Sequence, residues 1–271
     1  MVYEGYQLIR IAAANGVCRA TIDNPPINLL DVPLLNEIDR LTREVAADDE
    51  VRVLIVDSAD PEIFIAHADV GLILDLPADD IGLHDELSLF HAVTEQLRTL
   101  PKATIAVIEG VCRGGGCEFA MAFDMRFAAL GTTVLGHPEL AVGIIPGGGG
   151  TQRLPRLIGR ARALEVILGC IDVDAATAEA WGYVNRALPA DKLRRFVDKL
   201  AARIASSHAV AIANAKRAVD AAASADVATG LRIEDQLFRE TVAQPAAREL
   251  LRAVIDAGAQ TRDYELGDRR R

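Results

Sequence analysis

The sequence predicts an α/β fold for most of the chain, because two kinds of apolar pattern alternate along it. Two short, mainly apolar runs, 51–56 and 103–108, have the length expected of buried strands. The segment 33–46 instead repeats its apolar residues three and four positions apart, which is helical spacing. A glycine run, 114–116, separates the second apolar run from another at 119–123, which is typical of a strand, a tight turn and a buried helix.

The remaining elements follow from local signals. Asn15-Gly16 lies between two apolar runs and is typical of a two-residue hairpin turn. Asp31 is placed to cap the first helix, and Pro101 is placed to end the second. The expected order is hairpin strands 6–13 and 17–22, helix 33–46, strand 51–56, loop 57–69, helix 83–100, strands 103–108 and 124–129, helices 161–170 and 175–181, and a last strand or connector at 184–188.

From about residue 191 the pattern changes, since helical spacing continues and strand signals disappear. Four helices are expected, at 191–205, 208–223, 227–242 and 246–257. We therefore predict a core over residues 1–190 and a helical region over 191–271. Such a region buries little surface by itself, so we expect it to pack on the core or on other subunits.

Composition excludes several classes of protein. The chain has 271 residues, 51% of them hydrophobic, and a formal net charge of −10. This charge argues against general binding to nucleic acid or to an anionic membrane. The amino terminus does not resemble a signal peptide, and no apolar run is long enough to span a bilayer. Four scattered cysteines suit a reducing compartment, so a cytoplasmic protein without a bound metal is expected.

The first glycine run has features of a site that binds a negatively charged oxygen. Glycines allow a ligand atom to come close to the backbone, and amides at a helix amino terminus have no partners and attract negative charge. Glu118 falls in the first turn of the expected helix. Together they offer an oxyanion site with a carboxylate beside it. A tight turn with a helix-stabilising glutamate explains these residues equally well.

A second glycine run, 147–150, opens another expected helix. It lacks the Gly-Lys-Ser/Thr ending of a phosphate-binding P-loop. The chain also has no Gly-x-Ser-x-Gly nucleophile motif. Nucleotide binding and serine hydrolase chemistry are therefore not indicated.

Three segments, taken in order, resemble the crotonase family, the enoyl-CoA hydratase/isomerase group. They are the loop 64–69 after the strand 51–56, the run Gly114-Gly115-Gly116-Cys117-Glu118, and Pro138-Glu139 followed by 145–154. The resemblance spans nearly the whole chain. It implies a spiral core of ββα units over residues 1–190 that carries the acyl-CoA site. It also implies a helical trimerisation region over 191–271, and hence a homotrimer or a hexamer built as a dimer of trimers.

The resemblance also implies an oxyanion hole. The backbone amides of Ala66 and Gly115 would bind the thioester oxygen of a coenzyme A substrate. Chemistry beside a thioester passes through an enolate-like species, and each fixed N–H donor contributes about 3 kcal/mol to stabilising it. No metal or redox cofactor is then needed, since coenzyme A enters as part of the substrate.

Two carboxylates decide the reaction. Family members that hydrate a double bond resemble this chain in having both Glu118 and Glu139. The pair would hold a water molecule, one taking its proton and the other protonating the α carbon. The alternatives are a double-bond isomerase, in which one glutamate moves the proton, and a non-catalytic acyl-CoA binding protein.

Other residues in these segments are assigned to substrate contact by the same resemblance: Ala68, Asp69, Gly114, Pro146 and Gly147. Two residues depart from the family pattern. His67 stands where glycine is usual, and either narrows the acyl pocket or points away from it. Arg113 stands where a small or apolar residue is common, and either meets an anionic group or lies at the surface. His137 either orients Glu139 or is simply packed.

Overall fold

The computed structural model describes residues 3–79 and 81–266. The chain forms two compact units, Met1–Ser206 and Ser207–Arg271. In the first unit the described strands are β1 Ile9–Ala14, β2 Val17–Ile22, β3 Val53–Ser58, β4 Ile63–Ile65, β5 Ala103–Ile108, β6 Val111–Arg113, β7 Met125–Ala129, β8 Val134–Gly136, β9 Asp172–Asp174 and β10 Arg186–Leu188. Its described helices are α1 Val32–Ala47, α2 Val70–Leu74, α3 Leu89–Arg98, α4 Gly115–Ala120, α5 Gly150–Ile158, α6 Arg160–Gly169, α7 Ala175–Trp181 and α8 Ala190–Ala205. The predicted α/β class is confirmed.

The strands form two separate sheets. The larger has the order β1-β2-β3-β5-β7-β10, and its strands are parallel apart from the β1-β2 hairpin. The smaller has the order β4-β6-β8-β9, of which the first three are parallel. Consecutive strands from β3 to β8 therefore alternate between the sheets, the first of each pair in the larger sheet and the second in the smaller. This alternation repeats one ββα unit along the chain.

The hairpin and the first helix form where local chemistry predicts them. Asn15 and Gly16 both have positive φ, 52° and 79°, as a two-residue turn of this hand requires. The Asp31 carboxylate accepts a hydrogen bond from the Leu34 amide at 2.9 Å and so caps α1. Helix α1 buries its predicted apolar stripe, with Leu34 and Val45 fully inaccessible to solvent.

The second helix was predicted too long. Helix α3 begins at Leu89 instead of residue 83, after Ser88, whose hydroxyl caps it. Leu83 and Leu87 are exposed, so the apolar pattern at 83–88 has no buried face to hold it in a helix. Helix α2 was not predicted. Helix α4 begins at Gly115 rather than at 119, so the glycine run itself forms the first turn.

Helix α8 packs on the larger sheet of the first unit. Arg194 on this helix forms an ion pair with Asp57 of β3, a carboxylate with no solvent exposure, at 2.9 Å. Arg194 also pairs with Glu109, and Asp57 with Arg19 of β2. Helix α8 also buries Leu193, Val197 and Ala201. It therefore belongs to the first unit, and the structure divides the chain after Ser206, whereas the sequence suggests a division after residue 190.

The second unit is helical over its described residues. It comprises α9 Ala209–Ala221, α10 Val227–Val242, α11 Pro245–Asp256 and α12 Arg262–Leu266. Helices α9 and α10 pack together around Leu237, and the Asn214 amide donates to the Leu237 carbonyl at 3.2 Å. Large apolar side chains remain exposed on all four of these helices: Val219, Val227, Leu231, Phe238, Leu250, Leu251, Val254, Ile255, Tyr264 and Leu266.

Candidate active site

The three segments singled out in the sequence each follow one strand of the smaller sheet. Strands β4, β6 and β8 are adjacent and parallel, with Ile63, Val111 and Val134 in register. The carboxyl ends of parallel strands meet at one edge of a sheet, where ligands commonly bind. The segments 66–69, 114–118 and 137–150 therefore start from this common edge.

Glycines allow two of these segments to touch through their backbones. Gly114 has φ of 50°, a conformation that other residues rarely adopt. A Cβ at Gly115 would lie 2.8 Å from the Ala68 Cβ, and a Cβ at Gly116 would lie 2.5 Å from the Ile65 carbonyl oxygen. Any side chain at either position would push β4 and its following loop away from α4.

This contact brings two backbone amides together. Gly115 is the first residue of α4, so its N–H has no partner within the helix. The Ala68 nitrogen lies 3.1 Å from the point that a Gly115 Cβ would occupy. Leu30 bridges to this segment through the His67 carbonyl and the Asp69 amide, which leaves the Ala68 N–H directed away from Leu30.

The prediction for Ala66 is wrong. The Ala66 amide donates a hydrogen bond to the Ile27 carbonyl at 3.2 Å, so it is already engaged within the protein. The amide next to Gly115 is instead that of Ala68, a residue predicted to contact substrate. The segment beside Gly115 is therefore the one predicted, but its nearest amide lies two residues after Ala66.

Glu118 is held by the second glycine run. Its Oε1 accepts hydrogen bonds from the amides of Gly148 and Gly150, both at 2.7 Å, and the residue is 4% exposed. Burial raises the pKa of Glu118, while these two amides and His137 act in the opposite direction. Phe90 of α3 closes one side, since a Cβ at Gly148 would collide with its ring and lie 2.7 Å from Glu118 Oε2.

The second glycine run is itself anchored. Arg153 of α5 donates to the Gly148 carbonyl at 3.2 Å and forms an ion pair with Glu95 of α3 at 2.6 Å. Pro146 is buried and Gly147 is exposed. The amides that hold Glu118 are thus fixed by an ion pair between two helices.

Glu139 lies in a short 3-10 turn, Glu139–Val142, after β8. Its Oε1 is 3.4 Å from Nδ1 of His137, and its Oε2 is buried without a hydrogen-bond partner among the residues that the structure describes. Nε2 of His137 lies 3.1 Å from the Tyr183 hydroxyl. Burial opposes a charge on His137, but Glu139, Cys117 and Glu118 outweigh it, so the pKa of His137 is raised.

The residues that depart from the family pattern have partners of their own. Nδ1 of His67 donates to the Ala68 carbonyl at 2.8 Å, and His67 does not adopt positive φ. Arg113 makes two hydrogen bonds to the Asp172 carboxylate, at 2.8 and 2.6 Å, which join β6 to β9. The guanidinium is therefore engaged within the chain. Asp69 caps α2 by accepting from the Gly71 amide at 2.8 Å.

Three residues near the site carry no sequence signal. Tyr183, Asp172 and Phe90 act through partners distant in sequence. Arg153 lies in the segment 145–154, but its ion pair with Glu95 has no sequence signal. Within residues 3–79 and 81–266, no cluster of three histidine, cysteine or acidic side chains is arranged to bind a metal ion. No helix in the same ranges has the length and apolar character needed to cross a bilayer.

Comparison with known proteins identifies the family. The family model described as enoyl-CoA hydratase/isomerase matches residues 12–258. Methylglutaconyl-CoA hydratase of Rattus norvegicus is 36% identical over 220 residues, covering 79% of this chain and 69% of that protein. Short-chain-enoyl-CoA hydratase of Clostridium acetobutylicum is 32% identical over 244 residues, covering 89% of this chain and 91% of that protein.

Comparison with a solved crystal structure gives the same family as the sequence comparisons. The crystal structure of enoyl-CoA hydratase from Bacillus anthracis superposes with a TM-score of 0.85 at 31% identity, covering 93% of this chain and 97% of that chain. The chain belongs to the enoyl-CoA hydratase/isomerase family. It is an enzyme of the hydratase/isomerase type, and the predicted crotonase-like fold is confirmed.

The glycine contact gives a first prediction. We expect Gly116→Ala to lower the free energy of unfolding by about 1–3 kcal/mol, because the new Cβ overpacks against the Ile65 carbonyl. Gly82→Ala is the control, since no atom lies within 4 Å of the added methyl group. Urea unfolding of both variants measures the effect. Equal stability of the two would contradict the close contact between these segments.

Proposed function

We propose that this enzyme adds water across the 2,3 double bond of an enoyl-CoA thioester. The observation that carries the proposal is the pair of carboxylates, Glu118 and Glu139, beside the neighbouring backbone amides of Ala68 and Gly115. The proposal is supported by the relatives whose printed names are hydratases of enoyl-CoA compounds. The acyl-CoA thioester is accordingly the partner that we assign to the site.

The thioester oxygen binds the amides of Ala68 and Gly115 in this proposal. Both donors belong to backbone held by β4 and α4, so they do not need to reorganise as negative charge develops on the oxygen. The amino terminus of α4 adds a favourable dipole at the same place. Each donor contributes about 3 kcal/mol of transition-state stabilisation. Chemistry of this kind runs without a metal or redox cofactor.

The two carboxylates divide the proton transfers. Hydration forms a C–O bond at the β carbon and a C–H bond at the α carbon. One carboxylate accepts a proton from water as its oxygen attacks, and the other donates a proton to the α carbon of the enolate. Oε2 of Glu139 suits a reacting group because it is buried and has no partner within the described residues. The amides of Gly148 and Gly150 both donate to Oε1 of Glu118, so Oε2 lies on the other side of this carboxylate.

Both glutamates are therefore expected to be needed. We expect Glu118→Gln and Glu139→Gln each to lower kcat for hydration of crotonyl-CoA by at least ~100-fold, because the amide cannot transfer a proton. The loss of absorbance of the conjugated thioester measures hydration. Glu179→Gln, on the exposed face of α7, is the matched control and keeps full activity.

The outcomes separate the alternatives. Near-native hydration in one of the two variants would remove that carboxylate from the assigned mechanism. A wild-type protein that converts a 3-enoyl-CoA to its conjugated isomer without hydrating crotonyl-CoA would favour the isomerase. A wild-type protein that binds crotonyl-CoA without consuming it would favour a non-catalytic binding protein. Either result would overturn the proposed hydration.

His67 bears on substrate choice. The Cβ of His67 lies 3.7 Å from the point that a Cβ at Gly114 would occupy. The start of the His67 side chain is therefore next to the glycine run. We propose that it narrows the acyl pocket. His67→Gly should then raise kcat/KM for long enoyl-CoA substrates relative to short ones. An unchanged ratio across chain lengths would show that His67 does not shape the pocket.

We further propose that the protein assembles as a homotrimer or as a dimer of trimers through its second unit, and that it works in the cytoplasm. The support is the set of exposed apolar side chains on α9, α10 and α11, which exceeds what isolated surface positions explain. Phe238 of α10, 65% exposed, is the largest of them.

Sedimentation tests the assembly. We expect a trimer or a hexamer at micromolar concentration, and we expect Phe238→Glu to shift the protein to smaller species by placing a charge in an apolar contact. Glu234→Gln, an exposed substitution in the same helix, should leave the sedimentation coefficient unchanged. A wild-type monomer would refute the proposed assembly.

A further inference from the structure

Glu139 differs from Glu118 in how its side chain is held. Two backbone amides hold Glu118, whereas Glu139 is approached by one side chain, that of His137. His137 is 1% exposed and continues the contact to Tyr183, which is also buried. The three side chains therefore form a row, Tyr183–His137–Glu139, that ends in the candidate site. The proposed proton transfers use neither His137 nor Tyr183.

The chemistry of these three side chains determines which atom donates in each hydrogen bond. An ionised carboxylate can only accept hydrogen bonds, so Nδ1 of His137 carries the proton directed at Glu139 Oε1. In the neutral imidazole, Nε2 is then an acceptor and the Tyr183 hydroxyl donates to it, whereas in the protonated ring both nitrogens donate and the hydroxyl accepts. Tyr183 thereby stabilises the one tautomer that can donate to Glu139.

The row also distinguishes the two oxygens of Glu139. Oε1 is occupied by His137, while Oε2 has no partner among the described residues. A carboxylate without the histidine would be free to turn about its terminal torsion and exchange the two oxygens. With the histidine in place, one oxygen faces the imidazole and the other is left for the reaction.

We propose that His137, held in its tautomer by Tyr183, is a positioning residue that orients Glu139 so that Oε2 faces the reacting groups. This inference deepens the proposed hydration and rests on it. His137 would act through Glu139, without touching the substrate.

The surroundings of His137 bear on any dependence on pH. The titratable groups that face it are Cys117 and Glu118 from α4, Glu139 from its own loop, and Tyr183 after α7. From α5 the backbone of Gly150 approaches it, since a Cβ at this glycine would lie 3.0 Å from the His137 ring. Glu139 is the first of the neighbours that raise the pKa of His137.

Substitutions test the positioning role. We expect His137→Leu to lower kcat for crotonyl-CoA hydration about tenfold, the scale of one lost hydrogen bond in the transition state, with KM within twofold of wild type. His137→Gln retains an N–H donor and should recover part of the loss. Tyr183→Phe removes one oxygen from a buried ring and should lower kcat about threefold, since only the tautomer preference is lost.

Controls separate positioning from folding. Tyr3→Phe loses a hydroxyl that donates to the Asp48 carboxylate at 2.9 Å, away from the site, and should leave kcat unchanged. Thermal unfolding of each variant reports the folded fraction, and kcat is expressed per folded molecule. The pH profile of kcat should contain the ionisation of His137 in wild type and lack it in His137→Gln.

A measurement independent of turnover completes the test. The imidazole resonance of His137, identified by its loss in His137→Gln, should titrate at lower pH in Glu139→Gln than in wild type, because the neighbouring negative charge is removed. An unchanged titration would overturn the contact on which the proposal stands. Unchanged kcat in both His137→Leu and Tyr183→Phe would overturn the positioning role. Absence of hydration by the wild type would instead refute the proposed function, with the titration still reporting on the contact.

Discussion

The close approach of two backbones is the constraint on which the candidate site depends. Ile65 to Ala68 and Gly115 to Gly116 pack so tightly that no Cβ fits on the glycine side. This contact sets two amides side by side, and because the glycine run is also the first turn of α4, it places Glu118 next to them. The parallel register of β4, β6 and β8 then brings the segment of Glu139 to the same edge.

Much of this arrangement follows from short-range rules. The hairpin at Asn15-Gly16, the capped helix α1 and the buried strand β5 depend on turn, cap and apolar patterns that act over a few residues. The three site segments are identified by their resemblance to the family, because a tight turn with a helix-stabilising glutamate explains the first glycine run equally well. Local chemistry therefore predicts the elements, whereas the family resemblance predicts where the site segments lie.

What could not be predicted depends on partners distant in the chain. Ala66 and Ala68 have the same side chain, and only the Ile27 carbonyl determines which of their amides is already engaged. The apolar residues at 83 and 87 match a helix, but no buried surface receives them. Arg113 of β6 has an anion partner in the chain because its side chain reaches Asp172 of β9 across Gly136 of the intervening strand β8. In each case the deciding atom belongs to another element.

The two carboxylates differ in a way that bears on how reactions diverge within this fold. Glu118 is held by the amides of Gly148 and Gly150, which every sequence that keeps this backbone retains. Glu139 is held by a side chain, His137, and substitution can alter that contact without disturbing the backbone. The two hydrogen bonds that hold Glu118 are therefore a property of the backbone, while burial and the side chains of His137 and Glu139 also act on its pKa. The contact that holds Glu139 is a property of the sequence. Differences in proton transfer between enzymes of this architecture are accordingly expected to arise at the second carboxylate and the residues behind it.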